Sequence, residues 1–243
     1  MSESESIQLN FGKPMPLFPL DQVALLPQQV LPLHIFEPRY RQLVDDALNG
    51  PGLLAMATFQ GEDWKKQYHG RPPLKTAVCV GYVAHHEKTE DGRYYILVQG
   101  VCRARIVREL PADGQKLYRS AILEPLEADP TAPLPLDAED HTLDEARASI
   151  TAMLTDGPLS RWRSAEALLR LLRDDDVPTH VVLDVVGPAF APADPSLRYA
   201  LLSEPDPRQR ARLVVRELTT LQRLVRLAEH QHPELWPKGM SWN

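Results

Sequence analysis

The residues of this chain best suited to metal or nucleophile chemistry are its two cysteines and a few of its histidines. His85 and His86 are adjacent, so on a strand they point to opposite faces and cannot chelate one metal ion together. Cys79 and Cys102 lie among apolar residues of apparent strands, where a thiol ordinarily acts as a small hydrophobic group. A redox pair would need neighbouring strands and Cα atoms within about 7 Å of each other. We therefore predict no metal site and no cofactor.

Motifs of the common enzyme classes are missing from the sequence. It contains no G-x-x-x-x-G-K-[ST] phosphate loop, no G-x-G-x-x-G, no G-x-S-x-G elbow, no H-E-x-x-H and no paired C-x-x-C. A Ser–Lys dyad in the second half is disfavoured, because Lys238 is the only lysine after Lys116. The acidic runs at 62–63 and 174–176 lie in polar turns, where solvated charge is the ordinary explanation. We predict that the protein is not an enzyme.

Composition indicates a globular chain and excludes two kinds of partner. Hydrophobic residues make up 43% of the 243 positions, enough to build a core. The net charge of −6 gives no general attraction for nucleic acid, and the arginines of the last predicted helix surround it instead of lining one face. No apolar run reaches the ~18–20 residues that span a bilayer, and the polar N-terminus is unlike a signal peptide. We expect a cytoplasmic, bacterial protein that binds neither nucleic acid nor a membrane.

Residues 15–127 have the pattern of short strands around one helix. Prolines at 16, 19, 27 and 32 punctuate two apolar runs, which predicts edge-like or interrupted strands. Pro38 predicts a helix start, and the apolar residues after it fall on one face: Tyr40, Leu43, Val44, Ala47 and Leu48. Gly81 inside a strand predicts a bulge or a bend, and Asp91-Gly92 predicts a hairpin turn. This pattern favours a small barrel or a sandwich.

The remainder predicts a second, helical part. Residues 128–140 are predicted to form a Pro-rich linker and residues 141–232 a helical lobe. Residues 1–14 are predicted to be a disordered N-terminal tail, and residues 233–243 a C-terminal tail. The last helix carries an apolar seam with alternating spacings of three and four: Ala211, Val214, Leu218, Leu221, Val225 and Ala228. The seam suits packing on the chain's own helices or dimerisation, so monomer and homodimer both stay open. The predicted fold class is α+β, a β-rich barrel followed by a helical bundle that ends in a long helix.

An ordered set of short motifs resembles the N-terminal, substrate-binding domain of Lon proteases, and more closely the stand-alone bacterial relatives of that domain. The set begins with Pro19-Leu20, Pro27 and the string LPLHIFEPRYRQLV at 31–44. It continues with Gly81, with Asp91-Gly92 before Tyr95, and with Gly100 before Arg103-Ala104-Arg105-Ile106. It ends with LLSEPDPRQRARLVVREL at 201–218.

This resemblance implies a six-stranded pseudo-barrel around one helix, a C-terminal helical bundle, and binding of unfolded or damaged polypeptides through apolar surface. We expect that no ATPase or peptidase domain follows Asn243. The expectation is a recognition module that neither unfolds nor cleaves its client by the Lon mechanism. Its expected partner is a polypeptide client or a partner protein.

Aromatic residues are the candidate binding residues. Trp64 and Tyr68 lie in a polar loop, where large aromatic side chains mark a contact surface unless they fold back on the barrel. Phe36 and Tyr40 are further candidates, although their position in the apolar pattern favours the core. One alternative function is a small-molecule binder or hydrolase that uses a barrel pocket with His34, His85 or Cys79. A further alternative is an assembly element that dimerises through the last helix.

Six residues receive structural roles. Arg103 and Arg105 are two positions apart and share a strand face. Glu37 begins the helix, and we hypothesise that it pairs with one of these arginines and holds the helix to the barrel. Gly81 and Gly100 are expected to provide backbone geometry, and Gly92 a positive φ.

Overall fold

The chain forms two compact units in the computed structural model, which describes residues 9–67, 70–127, 141–190 and 194–230. The first unit comprises Met1–Pro133 with Ala193–Pro205, and the second comprises Leu134–Pro192 with Asp206–Asn243. The predicted linker at 128–140, the C-terminal tail at 233–243 and most of the N-terminal tail at 1–14 lie outside the described residues. The predicted domain boundaries therefore stay predictions.

Six strands of the first unit build one sheet that closes on itself. Its order is β2-β5-β4-β3-β1-β6, and an additional pairing of β5 with β6 completes the ring. β2 lies outside the ring, because it pairs with β5 alone. The predicted α+β fold and the pseudo-barrel are confirmed. The strands are β1 (Met15–Leu20), β2 (Val30–Ile35), β3 (Leu53–Thr58), β4 (Ala77–Lys88), β5 (Tyr94–Glu109) and β6 (Arg119–Pro125).

Proline has no backbone N–H to donate to a neighbouring strand, and the prolines of β1 and β2 lie where the strand is paired on one side only. β2 is an edge strand, as its Pro32 predicts. β1 is not an edge strand, because it pairs with both β3 and β6. Pro16 pairs with Ser120 of β6 before the β3 ladder begins, and Pro19 pairs with Ala57 of β3 after the β6 ladder has ended. The stagger of the barrel thus admits two prolines into an interior strand.

β4 and β5 form a long bent hairpin that extends beyond the ring. The sequence pattern indicates separate segments at 94–100 and 101–110, but the structure has one strand of 16 residues. The register shifts between Val80 and Gly81, where the sequence predicts a bulge. Gly92 has a φ of 77° in the turn of this hairpin, as predicted.

Side chains fill the interior of the barrel. Residues of β1, β3, β4, β5 and β6 form one buried cluster that includes Leu17, Ala55, Val80, Ala104 and Leu123. The cluster leaves Arg103 and Arg105 on the opposite, outer face of β5, so they share a face as predicted.

Helix α1 (Pro38–Leu48) packs on the barrel through the predicted face. Its buried residues are Tyr40, Leu43, Val44 and Ala47. The Tyr94 hydroxyl donates a hydrogen bond to the Asp45 carboxylate, which fixes the helix to the start of β5. This bond is the main reason that the pKa of Asp45 lies below its ordinary value.

A second helix, α5 (Pro195–Ser203), also belongs to the barrel unit, although the sequence prediction assigned it to the helical lobe. Arg103 is fully buried beneath it and donates from Nε to the Leu201 carbonyl at 3.1 Å. The guanidinium also pairs with Glu127 at 3.2 Å. The Tyr199 hydroxyl accepts a hydrogen bond from the Ala77 amide at 3.1 Å. Long-range contacts that no local pattern encodes thus hold α5 on β4 and β5.

The second unit is a helical bundle of α2 (Thr142–Asp156), α3 (Ala165–Leu172), α4 (Thr179–Phe190) and α6 (Pro207–His230). The first half of the predicted seam on α6 is buried in this bundle, at Ala211, Val214 and Leu218. Towards the end of α6, Leu224 and Leu227 are more than half exposed. Among the described residues, no helix combines the length and the hydropathy that crossing a bilayer requires.

Candidate binding groove

An open groove with a volume of about 920 Å³ lies on the barrel unit, beside the N-terminal end of α1. The residues before and within β1 line it, together with the start of α1 and the hairpin between β5 and β6. Most of this lining is proline, leucine or aromatic: Pro14, Leu17, Pro19, Phe36, Pro38, Tyr40, Leu110, Pro111, Leu117 and Tyr118. A surface of this composition suits apolar side chains of a partner.

Two large apolar side chains of the groove are exposed. Phe36 follows β2 and is 58% exposed, and Leu117 lies in the β5–β6 hairpin and is 61% exposed. Tyr40, by contrast, is buried and stacks on Phe18 with ring centroids 4.3 Å apart. The two sequence candidates therefore differ: Tyr40 belongs to the core and only borders the groove, whereas Phe36 is available to a partner.

Hydrogen bonds from α1 hold the hairpin wall of the groove in place. The Gln42 amide donates to the Gln115 carbonyl at 2.9 Å and accepts from the Leu117 amide at 2.7 Å. The Tyr118 hydroxyl donates to Asp46 at 2.6 Å. Burial and this carboxylate raise the pKa of Tyr118, so the hydroxyl stays protonated. The exposed Leu117 is thus presented by an anchored hairpin.

Charged side chains surround the apolar lining. Arg39 pairs with Glu37 at 3.0 Å. Glu109 accepts hydrogen bonds from both Arg119 and Arg71, and Arg71 also donates to the Leu110 carbonyl at 2.7 Å. Burial raises the pKa of Glu109, but the hydrogen bonds and charges of the two arginines outweigh it, and the net shift is downward. The Glu109 carboxylate is therefore ionised between two guanidinium groups.

A strip of exposed, mostly apolar side chains follows β2 and β5 and meets the groove at Phe36, just after β2. We call it the β2–β5 strip. It consists of Val30, His34, Phe36, Tyr95 and Leu97. His34 stacks on Tyr95 with centroids 4.6 Å apart, and it also contacts Phe36 at 5.8 Å. Tyr95 of β5 lies directly opposite His34 of β2, so their side chains share one face of the sheet. The β2–β5 strip lies on this face.

The structure places the other predicted site residues elsewhere or outside its described range. Trp64 stacks parallel on Phe59, with centroids 4.8 Å apart, and packs against the barrel core. This is the alternative in which the loop aromatic folds back on the barrel. Tyr68 lies outside the described residues.

In place of the hypothesised ion pair between Glu37 and Arg103 or Arg105, each of these residues has a different partner. Glu37 pairs with Arg39, Arg103 with Glu127, and Arg105 with Glu124 on β6. The reason is topological, because β4 and β6 flank this part of β5 while α5 covers Arg103. Gly81 and Gly100 do face crowded backbone, as expected, with the Gln99 carbonyl and the Leu26 carbonyl in the respective Cβ directions.

Two of the three residues considered for catalysis, His34 and Cys79, do not meet, whereas His85 lies opposite Leu97, two residues along β5 from the partner of His34. His34 lies opposite Tyr95 of β5, and Cys79 lies opposite Arg103. These partners are eight residues apart, which separates them by about 26 Å along a strand. Cys79 points away from the core cluster and Cys102 towards it, so the two thiols cannot bridge, and neither forms a disulfide. Within the described residues, no group of three or more His, Cys, Asp or Glu side chains could hold a metal ion.

Comparison with known proteins agrees with this architecture. The profile of the ATP-dependent protease La (LON) substrate-binding domain matches residues 14–220. The chain belongs to this family. Members with solved structures that resemble it include the N-terminal domain of the Mycobacterium avium complex Lon protease, with a TM-score of 0.61 and 20% identity. That comparison covers 85% of this chain and 98% of the other.

Further members are similar at lower coverage or score. A Lon N-terminal domain protein from Xanthomonas campestris has a TM-score of 0.56 and 21% identity, over 84% of this chain and 97% of that one. The Lon protease of Desulfosudis oleivorans is 25% identical over 99 residues, and Lon protease 2 of Syntrophobacter fumaroxidans 30% identical over 107 residues. These matches cover 41% and 43% of this chain, but only 12% and 13% of the two proteases.

Sequence reasoning missed the hairpin wall of the groove. Leu117, Arg71 and Lys116 attracted no attention, since each is an isolated residue in a polar, turn-rich segment. The available signal was Leu117 itself, a large apolar residue in the polar turn between β5 and β6. Only the closed sheet shows that this turn faces the start of α1.

Proposed function

We propose that this protein is a non-catalytic module that binds polypeptide segments through the groove and the adjoining β2–β5 strip. The observation that carries the proposal is the pair of exposed apolar side chains, Phe36 and Leu117, on anchored walls of one groove. Exposed apolar surface of this kind marks an interaction site on a folded domain. Membership of the LON substrate-binding domain family supports the same role.

The groove fits an extended polypeptide better than a small substrate. It is open and about 920 Å³ in volume, and it continues at Phe36 into the β2–β5 strip. Its acidic side chains already have partners: Arg39 for Glu37, and two backbone amides for Asp113. A hydrolase would instead need a base and a nucleophile aimed at one point.

Unfolded or damaged polypeptides are the proposed clients. Such chains expose apolar side chains that folded proteins bury, and the groove and strip offer apolar contacts at Phe36, Leu117 and Tyr95. A folded partner would have to present a protruding segment to reach the same surface. The chemistry of recognition is thus burial of apolar side chains from an extended segment.

Fluorescence polarisation with labelled peptides chosen from a peptide array tests the proposal. Phe36→Ser and Leu117→Ser each remove an exposed apolar contact, and loss of about 1–1.5 kcal/mol of burial predicts a five- to tenfold weaker affinity. Val107→Ser is the matched control, because Val107 is also more than half exposed but lies outside the groove. Trp64→Phe should bind normally, since Trp64 packs on Phe59.

Thermal melting should show all four variants folded, because three of the side chains are exposed and the fourth change keeps an aromatic ring. Peptide affinities of Phe36→Ser and Leu117→Ser that equal the affinity of the unaltered protein would overturn the assignment of the groove.

A further inference from the structure

The groove has a charge that the rest of the chain does not share. Four cationic side chains line it, Arg39, Arg71, Lys116 and Arg119, against two acidic ones, Glu37 and Asp113. Glu109 lies beside it and still leaves an excess of positive charge. The whole chain, in contrast, carries a net charge of −6. A positive groove on an acidic protein attracts negative groups and repels positive ones at this surface.

Resting on the proposed function, we infer that the groove selects polypeptide segments in which the side-chain carboxylate of an Asp or Glu lies beside a bulky apolar residue. The apolar residue occupies the surface between Phe36 and Leu117. The carboxylate binds the cationic edge formed by Arg71 and Lys116.

Arg71 has donors to spare for such a carboxylate. Each of the three guanidinium nitrogens of Arg119 already donates a hydrogen bond, Nε and Nη2 to Glu109 and Nη1 to the Pro72 carbonyl. To described residues, Arg71 donates only from Nη2, to Glu109 and to the Leu110 carbonyl. Its Nε and Nη1 groups have no hydrogen-bond partner among the described residues, and 40% of the side chain is exposed. An incoming carboxylate can take these donors without displacing Glu109.

Lys116 provides a second available cation. Its ammonium group lies 5.7 Å from the centre of the Tyr118 ring and has no ion-pair partner in the part of the chain that the structure describes. The nearby Asp113 carboxylate accepts hydrogen bonds from the amides of Gln115 and Lys116 through Oδ1. Those bonds are the main reason that the pKa of Asp113 is lowered, and the Lys116 charge contributes to this from beyond salt-bridge distance. The donors of the Lys116 ammonium group stay available to a partner.

An internal side chain fits this edge better than a chain terminus. Beyond Arg71 and Arg119 the surface continues into a second, shallow concavity of about 490 Å³, lined by Pro73, Glu109, Leu110 and Pro111. A bound chain can therefore pass the arginines on both sides. Capture of a C-terminal carboxylate requires a closed end with backbone donors, and the shared lining of the two concavities forms no such end.

Three labelled peptides test the inference by fluorescence polarisation. One has a Leu-Glu-Phe core and an amidated C-terminus, the second a Leu-Gln-Phe core with the same terminus, and the third a Leu-Gln-Phe core with a free C-terminal carboxylate. We expect the Glu peptide to bind about fivefold more tightly than the amidated Gln peptide at low salt. High salt should reduce this difference, and the free terminus should not restore it.

Variants of the protein locate the effect. Arg71→Gln should abolish the preference for Glu over Gln, and Lys116→Gln should reduce it about twofold. Lys116 is exposed, and its ammonium group only approaches the Tyr118 ring, at 5.7 Å. Arg105→Gln is the matched control, because Arg105 is also an exposed arginine paired with a glutamate but lies outside the groove. The preference should survive in this control.

The outcomes separate the two proposals. If Glu and Gln peptides bind equally well and Phe36→Ser weakens both, the carboxylate inference is overturned while the proposed function stands. Restoration of affinity by the free C-terminal carboxylate would overturn the choice of an internal side chain. If neither peptide binds and the array finds no other ligand, the proposed function itself fails.

Discussion

Gly100→Ala should destabilise the barrel unit strongly, because the chain passes too close to this glycine for any side chain. A Cβ atom at Gly100 would lie 2.2 Å from the Leu26 carbonyl oxygen, 2.9 Å from its carbon and 3.1 Å from the Cys79 sulfur. Both of the nearest atoms are backbone, so no side-chain rotation relieves the overlap. The segment at 26–29 must move away from β5 by about 1 Å to restore ordinary contact distances.

That movement breaks hydrogen bonds that tie the same segment to Gly100. The Gly100 amide donates to the Gln29 carbonyl at 2.8 Å, and the Gly100 carbonyl accepts from the Gln28 amide at 3.0 Å. Two such bonds contribute about 2 kcal/mol, and overpacking adds about 1–3 kcal/mol. Alanine also lowers the conformational entropy of the unfolded chain, which offsets about 0.4–1 kcal/mol of the loss in unfolding free energy. The expected loss is therefore about 2–4 kcal/mol.

Urea unfolding followed by circular dichroism and intrinsic fluorescence measures this loss. With a urea dependence of about 2 kcal/mol per molar for a unit of this size, the midpoint of the barrel transition should fall by about 1–2 M. Gly50→Ala is the matched control, since its Cβ would meet the Ala47 and Asp46 carbonyl oxygens at ordinary distances of 3.5 and 3.7 Å. If Gly100→Ala and Gly50→Ala unfold at the same urea concentration, the close approach does not constrain the fold.

Two further predictions concern ionisation. The pKa of Glu109 lies below its ordinary value of 4.5, so its pairing with Arg119 and Arg71 stabilises the protein fully above that pH and less as the pH falls through the folded-state pKa. Glu109→Gln should therefore lower stability at neutral pH and flatten its dependence on pH below about 4.5, and an unchanged acid limb in urea titrations would contradict this. Burial raises the pKa of Cys102 from 9.0 to about 11, so alkylation by iodoacetamide at neutral pH should be about a hundredfold slower in the folded protein than in concentrated urea. Equal rates, measured by mass spectrometry of the Cys102 peptide, would show that the thiol is not shielded.

Local sequence patterns predicted the elements well where the residue type alone restricts the backbone, as it does for proline and glycine. Pro38 begins α1, Gly92 adopts a positive φ in a hairpin, and Gly81 lies at a register shift. The apolar positions of α1 face the core because helical periodicity alone decides which side is buried. The shared face of Arg103 and Arg105 follows in the same way from the alternation of a strand.

Predictions about partners failed because partners are set by pairing between distant strands. Glu37 was expected to meet Arg103 or Arg105, yet β6 brings Glu124 to Arg105 and α5 covers Arg103. The sequence pattern left β1 as edge-like or interrupted, since the parallel pairing with β3 that makes it an interior strand is not visible in either strand.

The sequence by itself determined that this chain is an α+β protein, with a β-rich barrel ahead of a helical bundle, and it pointed to the LON substrate-binding domain family through motifs in a fixed order. It also named Phe36 among four candidate binding aromatics, although the apolar pattern favoured a core position for it, and the structure leaves it 58% exposed. Tertiary structure decided what surrounds Phe36, because only closure of the sheet brings the β5–β6 hairpin to the start of α1. That closure places Leu117 and Arg71 in one groove with Phe36, although they lie far apart in the chain, and it turns Trp64 inward onto Phe59.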